Sequence, residues 1–306
     1  MHSYITGANG LVGSAIEKNT KNNFELSNKI ENLNDFKQFL TQNKIETIYH
    51  TAAKVGGVLA NFENKIEFCL KNTKLNNIVF EAAYDLKIKN LINYSSTCVF
   101  PDQSKENIKL LTEDMVFNGA PHFSNDGYAY AKRLMQYLCS EARKEGFNYF
   151  TIVPTNVFGP NDNYNLQNAH VIPALIHKCY LAKENNEDMV VWGNGEPLRE
   201  FIFSEDLAKI SIMLAEKNKD YDSIIVSSGE EFSIRECAEA IASAMKFKNN
   251  LIFDHTKPNG QYRKPTDISL LKSIIGDFQF TDFHTAIQIS VDWFLENKDK
   301  IRKGRI

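Results

Sequence analysis

The sequence predicts an α/β protein built on a Rossmann-like, doubly wound parallel sheet, joined to a smaller α/β substrate domain. A short apolar strand at residues 2–6 runs into a glycine-rich turn that opens a helix, the usual start of such a sheet. Apolar strands then alternate with helical segments, as parallel sheets require. The alternation loosens later, so we predict a dinucleotide-binding domain over residues 1–165 and a substrate domain over residues 166–306, with some crossover of segments.

Composition narrows the class of protein further. The chain has 306 residues and a formal net charge of −3, with its lysines scattered, so we expect no binding to nucleic acid. It has no apolar run long enough to cross a membrane and no charged-then-apolar leader, which predicts a cytoplasmic protein without membrane contact. The five cysteines are odd in number and lack paired metal-ligand spacing, so we expect neither a disulfide framework nor a structural metal.

The glycine turn is the first candidate binding site. It reads Gly7-Ala8-Asn9-Gly10-Leu11-Val12-Gly13. Glycines let the backbone turn tightly and approach a pyrophosphate, whose charge is stabilised by the free N–H groups of the following helix. Its position between an apolar strand and an apolar-faced helix therefore predicts a dinucleotide site.

The second strand, near residues 23–26, bears on the choice of dinucleotide. An acidic residue at its end would favour the free 2′-hydroxyl of NAD, whereas Ser27, Asn28 and Lys29 tolerate or attract the 2′-phosphate of NADP. We therefore favour NADP(H). Glu25 keeps NAD(H) open, because a small shift of the strand end would place its carboxylate on the ribose.

Two further strands end in residues suited to ligand binding. The strand over residues 47–53 runs into a turn of small residues, where a cofactor has room to lie close. The strand over residues 90–94 ends in Ser95-Ser96-Thr97-Cys98-Val99, so hydroxyls and a thiol lie at the carboxyl end of a central strand. Open α/β sheets bind their ligands at that edge.

A long helix is expected between these strands, over roughly residues 64–86. Its apolar positions are Ile66, Cys69, Leu70, Leu75, Ile78 and Val79. We interpret Cys69, and His50 in the preceding strand, as core or strand-end residues rather than ligands.

Tyr128 and Lys132 are the candidate catalytic pair. Four residues apart on a helix, they share one face, so the ammonium keeps the surroundings of the phenol positive and eases its proton transfer, which suits reduction of a ketone. This helix has Ala131, Leu134, Met135, Leu138 and Cys139 at core spacing, with Lys132, Arg133 and Gln136 elsewhere. Because a YxxxK pattern often arises by chance, the pair needs support from other motifs.

The second half of the chain is expected to be less regular. A buried strand over residues 149–153 leads into a turn-rich run, and later short strands are expected near residues 190–192, 201–203, 224–226 and 251–253. One helix is clearly indicated, because Ser233 to Glu236 form a capping box ahead of an apolar face, which makes Cys237 a core residue.

Several of these runs resemble the GDP-L-fucose synthase family of extended short-chain dehydrogenases/reductases, over nearly the whole chain. The glycine turn and the YxxxK pattern identify only the superfamily. More specific are the runs AAKVGG (residues 52–57), HVIPAL (170–175) and WGNGEPLREF (192–201). Shorter matches lie at residues 96–101, 154–156 and 257–264.

The resemblance implies roles for five residues. Ser96 and Tyr128 would hydrogen-bond the C4 carbonyl of the sugar while Lys132 orients the nicotinamide ribose, and Tyr128 would supply the proton. Cys98 and His170 would act as base and acid for inversion at C3 and C5, since thiol and imidazole groups titrate near neutrality. The structural alternatives are that Cys98 is a small buried residue and that His170 supports the fold.

The resemblance also implies binding residues. Those for NADP(H) are Gly7, Asn9, Gly10, Leu11, Val12, Gly13, Lys29, Ala53, Lys132, Pro154, Asn156 and His170. Those for the GDP-linked keto sugar are Ser96, Asn156, Lys178, Trp192, Arg199 and Lys264, whose basic members suit a diphosphate. Scattered surface charge is the alternative interpretation of Lys178 and Lys264. The family's usual His-Arg pair is replaced here by Ala8-Asn9, which removes an arginine expected at the 2′-phosphate.

Three functions are compatible with these motifs. The first is a bifunctional epimerase and reductase of a GDP-4-keto-6-deoxy sugar. The second keeps only the C4 reduction, on a GDP-4-keto sugar such as a heptose, and the third is a non-catalytic sensor of nucleotide sugar or NADP. Intact Ser96, Tyr128 and Lys132 argue against the sensor. The resemblance further implies a homodimer, formed through a helix bundle that includes the helix beginning near Tyr128.

Overall fold

The computed structural model describes residues 2–20, 23–24, 30–103, 107–217, 221–257 and 259–301. The strands in chain order are β1 (Ser3–Thr6), β2 (Asn23–Phe24), β3 (Thr47–His50), β4 (Asn90–Tyr94), β5 (Asn148–Pro154), β6 (Asn156–Phe158), β7 (Met189–Trp192), β8 (Leu198–Phe203), β9 (Ser223–Val226), β10 (Glu231–Ser233) and β11 (Leu251–Asp254). The α-helices are α1 (Leu11–Asn19), α2 (Leu33–Gln42), α3 (Val58–Glu63), α4 (Lys65–Asp85), α5 (Asp126–Lys144), α6 (Val171–Asn185), α7 (Ser204–Lys217), α8 (Ile234–Ala244), α9 (Ser269–Ile275) and α10 (Phe283–Asn297). Two 3₁₀ helices cover Thr97–Val99 and Glu113–Phe117.

The main sheet is entirely parallel among the described residues, with strand order β2-β1-β3-β4-β5-β9. The order reverses beside β1, as in a doubly wound sheet, and this confirms the predicted α/β fold. Helices α1 and α7 pack together, while α2, α4 and α5 form a second packed group. Strands β1, β3, β4 and β5 are buried along their whole length, as strands covered on both faces are.

The second half of the chain contributes two small sheets. One has strand order β10-β8-β6 and the other pairs β11 with β7 in parallel. The core beside them is formed by apolar residues of α6, α8 and α10. Strand β9 also comes from this half, yet it pairs with β5 in the main sheet. The division at residue 165 stays a prediction.

Local signals explain where some elements begin. The side chain of Asn32 accepts hydrogen bonds from Asn34 and Asp35 at the start of α2. The predicted capping box is confirmed: the Ser233 hydroxyl accepts from the Glu236 backbone, and the Glu236 carboxylate accepts from the Ser233 backbone. Cys237 is fully buried, as expected. Strands β6 and β10 were not predicted: β6 lies in the run interpreted as turn-rich, and β10 directly precedes the capping box at Ser233.

The predicted core face of α5 is partly wrong. Lys132, Arg133 and Gln136 are buried, whereas Leu134 is 41% exposed. Helix α5 contacts α4, β4, β5 and the 3₁₀ helix Thr97–Val99, so more than one of its faces is covered. Helical periodicity locates an apolar stripe but does not show how many neighbours a helix has.

The apolar positions of α4 divide in the same way. Val79 is buried, but Ile66 and Leu70 are 77% and 64% exposed. Asn72 and Asn76 are buried instead, because both amides hydrogen-bond within the protein. Cys69 is only half-buried, so its predicted place in the core is wrong.

Candidate active site

The glycine turn between β1 and α1 leaves no room for a side chain at Gly7 or Gly13. Gly7 has φ of +71°, and a Cβ on Gly13 would lie 2.2 Å from the Gly7 carbonyl oxygen. The Gly10 N–H donates to that same oxygen over 2.8 Å. Gly10 is the N-cap of α1 and supplies no side-chain cap, so the first N–H groups of the helix, from Leu11 onward, face outward from the turn.

These features fit the pyrophosphate of a dinucleotide. Gly13 lets the first turn of α1 pack directly on the backbone of Gly7 and Ala8, and the helix N-terminus carries the partial positive charge that an anion needs. We call this turn, together with the buried His50 beneath it, the cofactor end of the site. Asn9 is exposed beside the turn, whereas Lys29, expected at the 2′-phosphate, lies outside the described residues.

His50 links the cofactor end to α5 through buried hydrogen bonds. Its Nδ1 lies 2.9 Å from the Thr6 hydroxyl, which accepts from the Ala52 N–H, and its Nε2 lies 2.9 Å from the Asn76 Oδ1. The Asn76 Nδ2 donates to the Ala131 carbonyl over 3.2 Å. The Asn76 oxygen must therefore accept from Nε2–H, and Nδ1 accepts from Thr6.

The same burial keeps His50 neutral. It lowers the pKa of the imidazole to about 3, and the nearby charge of Lys132 acts in the same direction. The interpretation of His50 as a strand-end core residue is confirmed, since it is fully buried at the end of β3.

The segment after β3 is held against the segment that carries His170. Asn72 of α4 binds the Lys54 backbone at both its N–H and its carbonyl, over 2.8 and 3.0 Å. The Gly57 N–H donates to the Asn168 carbonyl over 2.9 Å. Ala53, an expected cofactor contact, is half-buried just before this stretch.

Ser96 and Cys98 lie on the turn that follows β4. The Ser96 Oγ accepts from the Cys98 N–H over 3.3 Å and so caps the 3₁₀ helix Thr97–Val99. The preceding residue, Ser95, donates its N–H to the Ile152 carbonyl of β5 over 2.8 Å. The serine end of the turn is therefore tied to the main sheet, and the Cys98 thiol is half-buried.

Lys132 joins α5 to the end of β4, just before the turn that carries Ser96 and Cys98. Lys132 itself is 1% exposed, and its ammonium donates to the Tyr94 carbonyl, at the end of β4, over 2.7 Å. It also lies 5.7 Å from the centre of the Tyr128 ring. Burial lowers the pKa of Lys132 to about 8.

The pKa of Tyr128 differs from the expectation. Burial raises it well above the ordinary value for tyrosine, and the nearby Cys98 thiol adds to this effect. In the free protein, burial therefore outweighs the easing of proton loss that was expected from Lys132. A protonated phenol at neutral pH is a hydrogen-bond donor. Helix α5 contacts the 3₁₀ helix Thr97–Val99, so the turn and α5 lie side by side.

Three further predicted residues lie at the end of β5, just after it, and at the start of α6. Pro154 is buried at the end of this strand, and Asn156 is exposed, with its Nδ2 donating to the Glu200 carbonyl over 2.8 Å. His170 is the N-cap residue of α6 and is exposed, although the protein packed around its ring lowers its pKa. His177 instead supports the fold, with its Nδ1 2.7 Å from the Tyr164 carbonyl oxygen.

The four residues expected to bind the nucleotide come from separate segments, and we call them the nucleotide end. The Lys178 ammonium of α6 lies 4.7 Å from the centre of the Trp192 ring, which is 54% exposed at the end of β7. Arg199 of β8 donates to the Gln261 carbonyl over 2.6 Å. Lys264 is close enough to Arg199 and Cys98 for both to influence its pKa.

Charge at the nucleotide end is unbalanced. Burial lowers the pKa of Lys178, Arg199 and Lys264, and Arg199 lowers that of Lys264 further. Within the described ranges, none of the three forms an ion pair with a carboxylate. Three partly buried cations without an ion-paired carboxylate in the described structure favour a multiply charged anion as their ligand.

Sequence reasoning missed two residues in this region. Glu200 is buried, and its carboxylate accepts hydrogen bonds from Ser227 and from the backbone and hydroxyl of Thr266. Its place in the run over residues 192–201 was the signal that could have indicated it. Lys257 lies with its ammonium 5.8 Å from the centre of the Trp192 ring, and its place at the start of the matched run over residues 257–264 gave it no individual role.

Two other features, metal ligands and membrane-spanning helices, concern the part of the chain that the structure describes. No three His, Cys, Asp or Glu side chains there lie close enough together to hold a metal ion. None of the described helices combines the length and apolar character that crossing a bilayer requires.

Comparisons with known proteins agree with this geometry. Residues 3–227 match the NAD dependent epimerase/dehydratase family. The chain is 39% identical over 313 residues to the GDP-L-fucose synthase of Dictyostelium discoideum, covering 98% of this chain and 97% of that protein. It is 37% identical over 319 residues to the probable GDP-L-fucose synthase of Drosophila melanogaster, covering 98% of each.

A solved structure gives the same result. The crystal structure of a GDP-L-fucose synthetase from Naegleria fowleri bound to NADP superposes with a TM-score of 0.87 at 37% identity, covering 98% of this chain and 94% of that one. The chain therefore belongs to the NAD dependent epimerase/dehydratase family and, within it, to the GDP-L-fucose synthases.

Proposed function

We propose that this chain is an NADP(H)-dependent epimerase and C4-reductase of a GDP-4-keto-6-deoxy sugar. One observation carries the proposal: the turn that bears Ser96 and Cys98 contacts α5, the helix of Tyr128 and Lys132, at the end of β4. Relatives with 37–39% identity over nearly the full length are named GDP-L-fucose synthase or probable GDP-L-fucose synthase.

The residues of the cofactor end fit NADP(H). The backbone of residues 7–13 would hold the pyrophosphate, with Asn9, Leu11 and Val12 alongside. Ala53, Pro154, Asn156 and His170 would line the remainder, and Lys132 would bind the nicotinamide ribose. When bound, the nicotinamide supplies the hydride that reduces the ketone.

Ser96 and Tyr128 have the chemistry to handle the carbonyl. Both hydroxyls would donate hydrogen bonds to the C4 oxygen and stabilise the negative charge that develops on it. Tyr128, whose raised pKa keeps it protonated at neutral pH, would then deliver its proton to that oxygen. Lys132, buried within reach of the phenol, would stabilise the phenolate left behind.

Cys98 and His170 would exchange protons at the carbons beside the same carbonyl. Polarisation of the C4 ketone makes the C3 and C5 hydrogens acidic, so that one group can remove a proton and the other return it on the opposite face. The lowered pKa of His170 leaves its imidazole neutral at pH 7 in the free protein.

The nucleotide end would bind the GDP portion. Lys178, Arg199 and Lys264 provide the positive charge that a diphosphate requires, and the exposed Trp192 ring offers a surface for the base. Asn156, beside the end of β5, would contact the sugar.

An isotope experiment tests the function. The enzyme is incubated with GDP-4-keto-6-deoxymannose in D₂O without cofactor, and deuterium at C3 and C5 is measured by mass spectrometry. We expect uptake in the wild type and none in Cys98→Ser. NADPH oxidation without deuterium uptake would instead establish the C4-reductase alternative.

Tyr128→Phe tests the reduction step. The variant keeps the ring and loses the proton donor, so we expect the rate of NADPH oxidation to fall about 10²- to 10⁴-fold, as for other lost general acids. Tyr130→Phe, on the exposed face of the same helix, is the matched control and should retain the wild-type rate. Unchanged turnover in Tyr128→Phe would overturn the assignment.

We also infer that the chain forms a homodimer through α4 and α5. Ile66 and Leu70 of α4 are exposed one helical turn apart, and Tyr130, Leu134 and Tyr137 of α5 are 49%, 41% and 51% exposed along one face. Helices α4 and α5 pack together, so both apolar faces are available to a second copy.

Light scattering tests the dimer. Leu134→Glu should shift the measured mass from twice that of one chain to that of a monomer, because a buried unpaired charge opposes association. Ile252→Glu, at an equally exposed position on β11, should leave the dimer intact.

We further infer a cytoplasmic location, where the five free cysteines stay reduced.

A further inference from the structure

Arg133 is a buried cation that the proposed mechanism does not use. It follows Lys132 on α5 and is only 7% exposed. Its Nε donates to the Val99 carbonyl and its Nη2 to the Gly119 carbonyl, each over 2.8 Å. It makes no ion pair with any carboxylate in the described part of the chain. Burying a cation costs free energy unless its donors are hydrogen-bonded, and the Val99 and Gly119 carbonyls accept two hydrogen bonds from this guanidinium.

The first carbonyl ends the turn that carries Cys98. Val99 is the last residue of the 3₁₀ helix Thr97–Val99, which is too short to be stable by itself. Within it, the Val99 N–H donates to the Ser96 carbonyl over 3.0 Å, and the Cys98 N–H makes a longer bond of 3.3 Å to the Ser96 hydroxyl. Arg133 supplies the contact from α5.

The second carbonyl belongs to the loop that covers the end of this turn. Beside Gly119, the Ala120 carbonyl accepts from the Asp102 N–H over 2.9 Å, and Pro101 forms an isolated bridge with Pro121. One guanidinium thus joins α5, the turn and the covering loop. A planar group with five donors can bind two carbonyls in different directions, which a lysine ammonium does less well.

The two ends of the turn are held differently. Ser96 follows Ser95, whose N–H bonds to β5, so the serine end is tied to the main sheet without Arg133. Cys98 directly precedes the residue whose carbonyl Arg133 holds. We propose that Arg133 is a positioning residue for the Cys98 thiol and serves the proton-transfer steps more than the reduction. This proposal rests on the function proposed above.

The first test separates the two half-reactions. In Arg133→Met, we expect deuterium uptake at C3 and C5 to fall about tenfold to a hundredfold, because small displacements of a catalytic group cost that much. The single-turnover rate of NADPH oxidation should also fall, but by a factor about ten times smaller than the factor for deuterium uptake. Arg133→Lys, which keeps the charge but not the fork of donors, should be intermediate. Equal losses in both reactions, or no loss in either, would overturn the proposal.

Arg143→Met is the matched control for this experiment. Arg143 lies on the same helix, at its far end, and donates to the Asn148 side chain over 3.1 Å. We expect both half-reactions to keep their wild-type ratio in this variant. A changed ratio would mean that any loss from α5 has the same effect, which contradicts a specific role for Arg133.

The second test does not depend on the substrate. Iodoacetamide labelling, followed by peptide mass spectrometry, compares the alkylation rate of Cys98 with that of Cys69, the half-buried thiol of α4. Arg133→Met should change the Cys98 rate at least threefold while Cys69 keeps its rate, and an unchanged ratio overturns the proposal. If the wild type takes up no deuterium but this ratio changes, the proposed function fails while the positioning of Cys98 by Arg133 stands.

Discussion

The cofactor end and the nucleotide end are built in opposite ways. The first consists of one continuous run of seven residues, 7–13, and the buried His50. Both ring nitrogens of His50 have hydrogen-bond partners within the protein. The second gathers Lys178, Trp192, Arg199 and Lys264 from four segments and leaves three cations without a carboxylate partner in the described structure. The cofactor end is therefore complete before ligand binds, whereas the nucleotide end needs an anion to balance its charge.

The largest expected effect follows from the tight packing of the cofactor end. In Gly13→Val, the new side chain would overlap the Gly7 backbone, so we expect NADPH affinity, measured by fluorescence titration, to fall more than about a hundredfold. Ser14→Ala, which removes only a hydroxyl bonded within the helix, should bind NADPH normally. GDP binding should survive in both variants. A parallel loss of GDP binding would show that the two ends are not independent.

The next effect sharpens the contrast at the nucleotide end. Lys264→Met should weaken GDP binding, measured by calorimetry, about tenfold to a hundredfold, because a charge-assisted hydrogen bond contributes about 1.5–3 kcal/mol. Lys209→Met, an exposed lysine of α7, serves as the control. NADPH affinity should not change. Equal GDP affinity in the wild type and Lys264→Met would remove Lys264 from the site.

The smallest effect concerns the support beneath the glycine turn. The pKa of His50 is about 3 in the folded protein against an ordinary 6.5, so below pH 6.5 the unfolded chain binds a proton that the folded protein does not. The free energy of unfolding should therefore decrease as the pH is lowered. This residue should contribute a decrease of about 2 kcal/mol between pH 7 and pH 5.

Urea unfolding at both pH values tests this contribution. His50→Gln keeps a donor and an acceptor but does not titrate, so its stability should fall by about 2 kcal/mol less than that of the wild type over the same range. His255→Gln, on an exposed turn, should behave like the wild type. An identical fall in His50→Gln and wild type would contradict the buried neutral imidazole.

Local elements of the fold were more predictable from the sequence than the packing of α5. The strand, turn and helix at residues 3–19 follow from local rules, because glycine conformation and helix capping depend on neighbours in the chain. The capping box at Ser233 was predictable for the same reason. Periodicity misjudged α5, where Lys132 and Arg133 are buried because this helix packs against several elements at once.

The parallel α/β fold, the glycine turn and the residue types available for catalysis could be predicted from the sequence, since they depend on short-range backbone preferences and apolar spacing. The folded structure was needed to show that Lys132 reaches the end of β4, that Arg133 binds the turn of Cys98 and that Lys264 lies near Arg199. Such contacts join residues far apart in the chain, and their geometry is set by how helices and loops pack around the sheet.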